Sequence, residues 1–475
     1  MSVRSKHSDY NGMHSRWELC EDFSEGEHAV HEEKEKYLPR LKDEEDASYK
    51  LRLSMTPVFN ATWRTISGMR GMLFRKPPKV EVPAALSALF EDIDGSGTSM
   101  QAVAQEVVEE ALTLGRVGIL VDYPQAPEGI TLADARVMQL RPMMCLYEAE
   151  SIYNWAETRT NGRTTLTQVR LCEEILVPGE DEFTSKESKQ YRVLDLFEGK
   201  YRQRVYTVNE KDEEVLVSTT VPMMNNKPLG FIPFVVVGVD SNGMDVDAPP
   251  LIDLVTTNLH HYMQATSYER GCFFSGLPTM FISGMEDSDG EISIGGSVAN
   301  ALGSPNAKAY YVEVASKFEA LRTNLEDKKR EMAVLGARML EGGKNTGGVE
   351  AAETVARRQS GEESVLACMA QTASDGLTKA LQWMADWMSA SGPVSYQLNR
   401  DFLPQSMTAQ DLTALVGAWQ AGALSQEELF NNLKAGEIVS DSTDFETEQE
   451  RINSAQAQLM AQQAELFPVT QPAGE

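Results

Sequence analysis

Residues 341–348 read Glu-Gly-Gly-Lys-Asn-Thr-Gly-Gly, four glycines and a lysine in eight positions, and a loop of that composition could cradle a phosphate. Such a cradle needs a glycine five residues before the Gly-Lys pair and a hydroxyl directly after the lysine. Here position 338 is Arg and position 345 is Asn, and the segment follows a helical pattern instead of a strand. Nucleotide hydrolysis is therefore excluded at this loop. Asp92-Ile-Asp-Gly-Ser-Gly opens like a calcium loop, but its twelfth position is Val103, where a bidentate carboxylate is required. A turn is expected instead, followed by a capped helix over 100–114. The six histidines (His7, His14, His28, His31, His260, His261) have no ligand spacing. The five cysteines (Cys20, Cys145, Cys172, Cys272, Cys368) are odd in number and far apart, which fits a reducing compartment and neither a zinc site nor a disulfide framework. There is no nucleophile elbow and no metalloprotease motif. The sequence thus offers no catalytic residue, no metal and no cofactor, and no enzyme is expected.

Carboxylates are abundant, with 71 Asp and Glu against 43 Lys and Arg in 475 residues, a formal charge of −28. With so many acids any two can be paired on paper, so a solvated surface explains them better than a catalytic dyad. A surface this negative repels phosphate at long range and excludes open-surface DNA binding by charge neutralisation. The length suggests two to four domains or one large interlocked one. The longest apolar run, 228–239, is too short to span a bilayer and contains Pro233. The first residues carry no apolar stretch after their basic positions, so no secretory signal is expected.

The elements that would position any site follow from periodicity. A helix is expected from near the acidic run Asp43–Asp46 through Tyr49, Leu53, Val58 and Trp63, with Pro57 as a kink or boundary, stopping at Lys76-Pro77-Pro78. Residues 116–123 read as a buried strand, and from about 140 to 239 β-rich stretches alternate with turns. Pro249-Pro250 opens a helix to about Phe274, and residues 276–315 form a small strand-and-loop module. Phe318, Leu321, Leu325, Met332, Leu335 and Met339 place a second long helix over 317–340, with a stripe for helix packing. After the glycine loop a third helical stretch runs to about Ala390, with a bend expected at Gly361 and Gly376. Two further helices, 408–421 and 425–435, precede an acidic Gln-rich tail, and the pattern Ser425-Gln-Glu-Glu428 caps the second. Residues 401–475 hold twelve acids against two bases, a local charge of −10.

Tyr37-Leu-Pro-Arg-Leu-Lys-Asp-Glu-Glu45, then Tyr49 to Pro57 and Trp63 to Pro78, resemble the opening of portal proteins of tailed bacteriophages. Gly230-Phe-Ile-Pro-Phe-Val, Pro249-Pro-Leu-Ile-Asp-Leu, Asn258, Phe273 to Pro278, Leu424-Ser425 and Leu429 to Gly436 then follow in the order such portals show. The likeness covers about residues 30–450, and it is carried by the order of motifs and the helix-module-helix-loop-helix layout. It implies an α+β, portal-type fold. Residues 1–30 match no part of the pattern and would be an N-terminal arm able to move; 31–248 would be a wing of helices and β-rich chain. The stem helices would be 249–275 and 317–340, bracketing a small α/β clip at 276–316. A channel loop at 341–350, a long bent wing helix at 351–390 and a helical crown with an acidic tail at 391–475 would complete the chain.

The resemblance also implies a homo-oligomeric ring, a dodecamer by family habit, at one capsid vertex, through which DNA is packaged and ejected. Its expected partners are the major capsid protein and scaffold, the terminase large subunit, a head-completion or adaptor protein, and double-stranded DNA in transit without sequence preference. No membrane is involved, and the location is the virion, with assembly in the host cytoplasm. The channel-loop residues would be Gly342, Gly343, Lys344, Asn345, Thr346, Gly347 and Gly348, and the acidic turn of the clip, Glu286, Asp287, Asp289 and Glu291, would dock partners. Along 317–344 seven bases exceed five acids, and Arg322, Lys328, Lys329, Arg330 and Arg338 would form basic bands in the stem. Ordinary pairing at i,i+4, such as Glu326 with Arg330, competes with that reading. The alternative function is a ring- or shell-forming virion scaffold that conducts no DNA.

Overall fold

The computed structural model describes residues 2–124, 138, 140–160, 162–179, 181, 183–209, 211–225, 227–276, 279–283, 308–312, 318–338, 364–400, 402, 409–420, 423–436, 438–439 and 443–454. The chain divides into two compact units, Met1–Arg400 and Asp401–Glu475. Helix and antiparallel sheet are mixed throughout the first, an α+β arrangement.

The first unit opens with helices. In α1 (Ser8–Glu25) Tyr10, Trp17, Cys20 and Phe23 fall on one buried stripe at spacings of seven, three and three. A short α2 (Glu27–Glu32) follows. The helix expected through residue 63 is two helices, α3 (Asp46–Met55) and α4 (Ala61–Leu73). Pro57 is the boundary: it forces the preceding Thr56 out of the helical region, to φ −90° and ψ 108°. Asn60 restarts the chain by accepting the Trp63 N–H at 2.9 Å. Beyond the proline stop lie β1 (Lys79–Glu81) and α5 (Ala84–Ser87).

The turn at 92–98 is held by its own carboxylates, Asp92 accepting the N–H of Gly95 and Gly97 and Asp94 those of Ser96 and Thr98. Ser99 then caps α6 (Met100–Leu114), which ends at Gly115 with φ +83°, a conformation that favours glycine. The core lies where α6 meets a three-stranded sheet of β2 (Arg116–Asp122), β3 (Met143–Glu148) and β11 (Phe234–Gly238), with β2 in the centre. In register, Ile119 sits between Leu146 and Val235.

The β-rich middle is a five-stranded antiparallel meander: β4 (Ile152–Thr160), β5 (Arg163–Pro178), β6 (Ser185–Phe197), β7 (Lys200–Val208) and β8 (Glu214–Thr220). The tight β6–β7 turn puts Glu198 and Gly199 at φ 52° and 72°, the conformation that keeps a two-residue hairpin in step with strand twist. Two short strands, β9 (Met223–Met224) and β10 (Lys227–Pro228), precede β11.

The N-terminal arm expected over residues 1–30 is corrected. Besides the buried stripe of α1, residues 2–7 form a strap across the meander. Arg4 pairs with Asp212 at 2.6 Å, Arg170 of β5 donates to the Ser2 carbonyl at 3.1 Å, and the His7 N–H donates to the Tyr153 carbonyl of β4 at 2.8 Å. The His7 ring stacks on Trp155, centroids 4.1 Å apart. Apolar burial by one helix and polar ties at both margins of a sheet leave no free arm.

The remaining elements of this unit are α7 (Ile252–Gly276), the hairpin of β12 (Thr279–Ser283) and β13 (Lys308–Val312), α8 (Glu319–Arg338), α9 (Val365–Trp387) and β14 (Ser395–Gln397). Most of α9 is buried, against α6, β2, β11 and β14. α9 runs unbroken through Gly376, and there the glycine serves close approach, since a Cβ would lie 2.5 Å from Val237 Cγ2. Gly361 lies outside the described residues. The crown boundary at 391 is also corrected, because β14 pairs with β1, Tyr396 opposite Val80, and so belongs to the first unit.

In the second unit, α10 (Ala409–Gln420) and α11 (Gln426–Ala435) fall where the periodicity puts them. Ser425 caps α11 by accepting the Glu428 N–H at 3.1 Å. Phe430 meets Phe445, centroids 5.6 Å apart.

Candidate functional site

The expected site residues fall on the α7–α8 pair and on segments around it. Two close approaches fix the pair as antiparallel. Gly336, near the end of α8, faces Leu254 near the start of α7, while Gly271, near the end of α7, faces the Phe318 ring at the start of α8. At the first of these places Ala61 of α4, Leu254 and Met332 form one buried cluster, with Phe59 and Leu335 against it. The helix pair therefore stands on α4 and is joined at its other end through the β12–β13 hairpin.

The stripe of α7 that continues from Leu254 is polar. Asn258 and His261 are 1% and 5% exposed, and neither side chain has a hydrogen-bond partner among the described residues; nor does the Thr62 hydroxyl of α4. His261 lies 5.6 Å from the Phe59 ring. Burial first, then Lys329 and Lys328 of α8, push its imidazole down to about 4, so it is neutral at ordinary pH. Lys329 also sits 5.2 Å from the centroid of the Phe59 ring.

Of the expected stem bases, Lys328 and Lys329 are brought together against His261. Arg322, Lys329 and Arg330 each pair with an acid three residues earlier: Glu319 at 3.8 Å, Glu326 at 3.1 Å and Asp327 at 3.2 Å. The expected Glu326–Arg330 pair at i,i+4 is corrected to this i,i+3 set, in which Glu326 serves Lys329 and Asp327 serves Arg330. Arg338 ends α8, and its side chain lies outside the described residues. So do the channel-loop residues Gly342, Gly343, Lys344, Asn345, Thr346, Gly347 and Gly348 and the clip residues Glu286, Asp287, Asp289 and Glu291.

On its other side α7 faces a buried ion pair between α3 and the chain before it. Arg52 holds Glu44 at 2.6 Å, with side chains 6% and 3% exposed, and Arg270 of α7 reaches within 3.9 Å of the same carboxylate. The Arg52 hydrogen bond, with smaller help from the Leu41 N–H and Arg270, holds Glu44 down to about 2. A cavity of about 40 Å³ beside this pair is lined by Leu51, Met55, Thr266 and Phe273. A contrasting set of acids lies where α1 meets α6, and there burial and then neighbouring acids raise Glu21 to about 7 and Glu110 to about 8. Charge counting along the chain missed both places. The motif that holds Glu44 and the helical stripe that holds Asn258 and His261 were visible, but not what those side chains meet.

Among the described residues no group of three or more His, Cys, Asp or Glu could hold a metal ion, and no helix is long and apolar enough to cross a membrane. None of the five cysteines is in a disulfide among the described residues, and burial pushes Cys20 and Cys145 up to about 12.

A family profile described as a domain of unknown function, DUF4055, matches residues 250–388, which span α7, the β12–β13 hairpin, α8 and α9. No curated protein matches the chain. Among solved structures, the chain is similar to one titled as the neck of an empty GTA particle computed with C6 symmetry, at 12% identity and a TM-score of 0.41, over 79% of this chain and 90% of that one. It is also similar to a chain from the virion of a native gene transfer agent (GTA) particle, at 10% identity and a TM-score of 0.37, over 78% and 88%. A third, the neck of a native GTA particle computed with C12 symmetry, matches at 11% and 0.38, over 78% and 89%. The chain's structural neighbours are thus particle-neck and virion chains.

Proposed function

We propose that this chain is a portal protein: a subunit of a closed ring at a unique capsid vertex that serves as the channel for DNA entry and exit. The observation that carries the reading is the antiparallel α7–α8 pair, anchored on α4 at one end and joined through a small β module at the other, within the motif order described above. In this reading α7 and α8 are the stem, the β12–β13 module is the clip that meets the terminase and later the adaptor, and residues 341–350 face the duplex. Capsid and scaffold proteins contact the wing. A conduit must not grip its cargo. Three of the stem bases are each already paired with an acid of their own on α8, so they offer a passing phosphate little attraction.

A ring of identical heterologous contacts would bury surfaces that a lone subunit leaves exposed. With a subunit of 52.6 kDa, native mass measurement is expected to give a species near 630 kDa for twelve copies, with an axial hole in class averages. A monodisperse monomer at every concentration would overturn the reading. A closed shell without a hole would favour the scaffold alternative.

A further inference from the structure

Arg116 begins β2 and is 1% exposed, and its Nε, Nη1 and Nη2 are all buried with no hydrogen-bond partner among the described residues. The guanidinium lies over the Trp155 ring, 4.7 Å from its centroid. A guanidinium cannot shed its charge in a protein, and leaving all of its donors unmet in the interior costs several kcal/mol. Two acids act on it electrostatically, Asp247 more strongly than Asp9. Asp9 is already engaged, in the first turn of α1, by the Ser8 hydroxyl. Asp247 is not: its carboxylate makes no hydrogen bond or ion pair among the described residues, and burial together with Asp240 and Asp245 disfavours its charge where it stands.

The two groups sit at a junction. Asp247 belongs to the irregular segment 239–251 that leads from β11 into α7, and Ala248 and Pro249 of that segment press on Gly115, the residue before Arg116. The segment is pinned at its start by the Asn242 amide, which donates to the Thr372 carbonyl at 3.0 Å, and by buried Met244. Only the stretch after Met244 must shift for the carboxylate to reach the guanidinium.

We propose that Arg116 and Asp247 form a latch, in which the segment before α7 has a second arrangement where the Asp247 carboxylate closes on the Arg116 guanidinium and ties the three-stranded sheet to the start of α7. This rests on groups within one chain and not on the portal reading. The test is a double-mutant cycle with Arg116→Met and Asp247→Asn, read by chemical unfolding of the full chain. With a latch, each single variant lowers the folding equilibrium constant about tenfold or more, and the second substitution has little further effect in the background of the first. Independent effects of the two substitutions, or a stabilising Arg116→Met with a neutral Asp247→Asn, would overturn it. If Arg116→Met does not fold, hydrogen exchange decides. Amides at 245–256 should exchange at least about tenfold faster in Asp247→Asn and stay unchanged in the control Asp9→Asn, and equal rates in all three proteins would sink the latch.

Discussion

The layer of α6, β2, β11 and α9 and the seam of α4, α7 and α8 are both close packings of regular elements, yet they are finished differently. Apart from Arg116 at the start of β2, the first is closed within one chain. Val117, Ile119, Val235, Val237, Leu377 and Ala380 are all at most 2% exposed, and the few polar groups of α9 are satisfied, Thr372 donating to the Gly238 carbonyl and Ser374 accepting from the Leu398 N–H. The second buries Asn258, His261 and Thr62 unpaired, and leaves most of the α8 surface uncovered. A core that is apolar and complete sets the fold. A seam with unmet donors and acceptors is adjustable, because no single arrangement of its polar groups is much better than another.

The sharpest way to break this contrast is to place the same methyl group in each packing. Gly376→Ala sets a Cβ 2.5 Å from Val237 Cγ2 in the closed layer and is expected to cost about 3 kcal/mol in chemical denaturation. Gly336→Ala sets one 3.1 Å from Thr65 Cγ2 in the seam, where a small shift and the better helix propensity of alanine offset each other to within about 1 kcal/mol. Equal costs would erase the distinction.

A smaller effect comes from pH. The folded-state pKa of His261 is depressed, from 6.5 to about 4, so its contribution to stability is full above about 6.5 and is lost as pH falls toward 4. The loss is roughly 3 kcal/mol at most. Glu21 and Glu110 have raised values and act with the opposite slope, losing their contribution as pH rises. The measurement is therefore the difference between wild type and His261→Phe at pH 7 and pH 4.5. Wild type should lose more stability than the variant on acidification, and parallel curves would show the imidazole to be solvated.

Much of the fold was legible because it rests on local signals. Ser99 and Ser425 start helices, Pro57 divides one, Gly115 ends another, and the uncharged run 117–121 marks the central strand. Spacing also placed α7 and α8 to within a few residues. What stayed hidden depends on partners far along the chain. Nothing local to residues 2–7 says that they will meet 153, 170 and 212, and nothing local to Gly376 says that Val237 will need its missing side chain. The stem bases were legible as charges but not as pairs, since i,i+3 and i,i+4 partners compete within one helix turn. The least expected effect follows: Arg330→Ala removes an exposed pair with Asp327, and its unfolding midpoint should match that of wild type.

The strap of residues 2–7 has a consequence for synthesis on the ribosome. These residues emerge long before the sheet that receives them, which is complete only once Asp212 and Glu214 have followed, more than 200 residues later. At ordinary elongation rates that is a wait on the order of ten seconds or more. Part of the apolar stripe of α1 waits longer still, since Phe23 meets the Tyr262 ring of α7, which is made later again, so a segment made early is among the last to be seated.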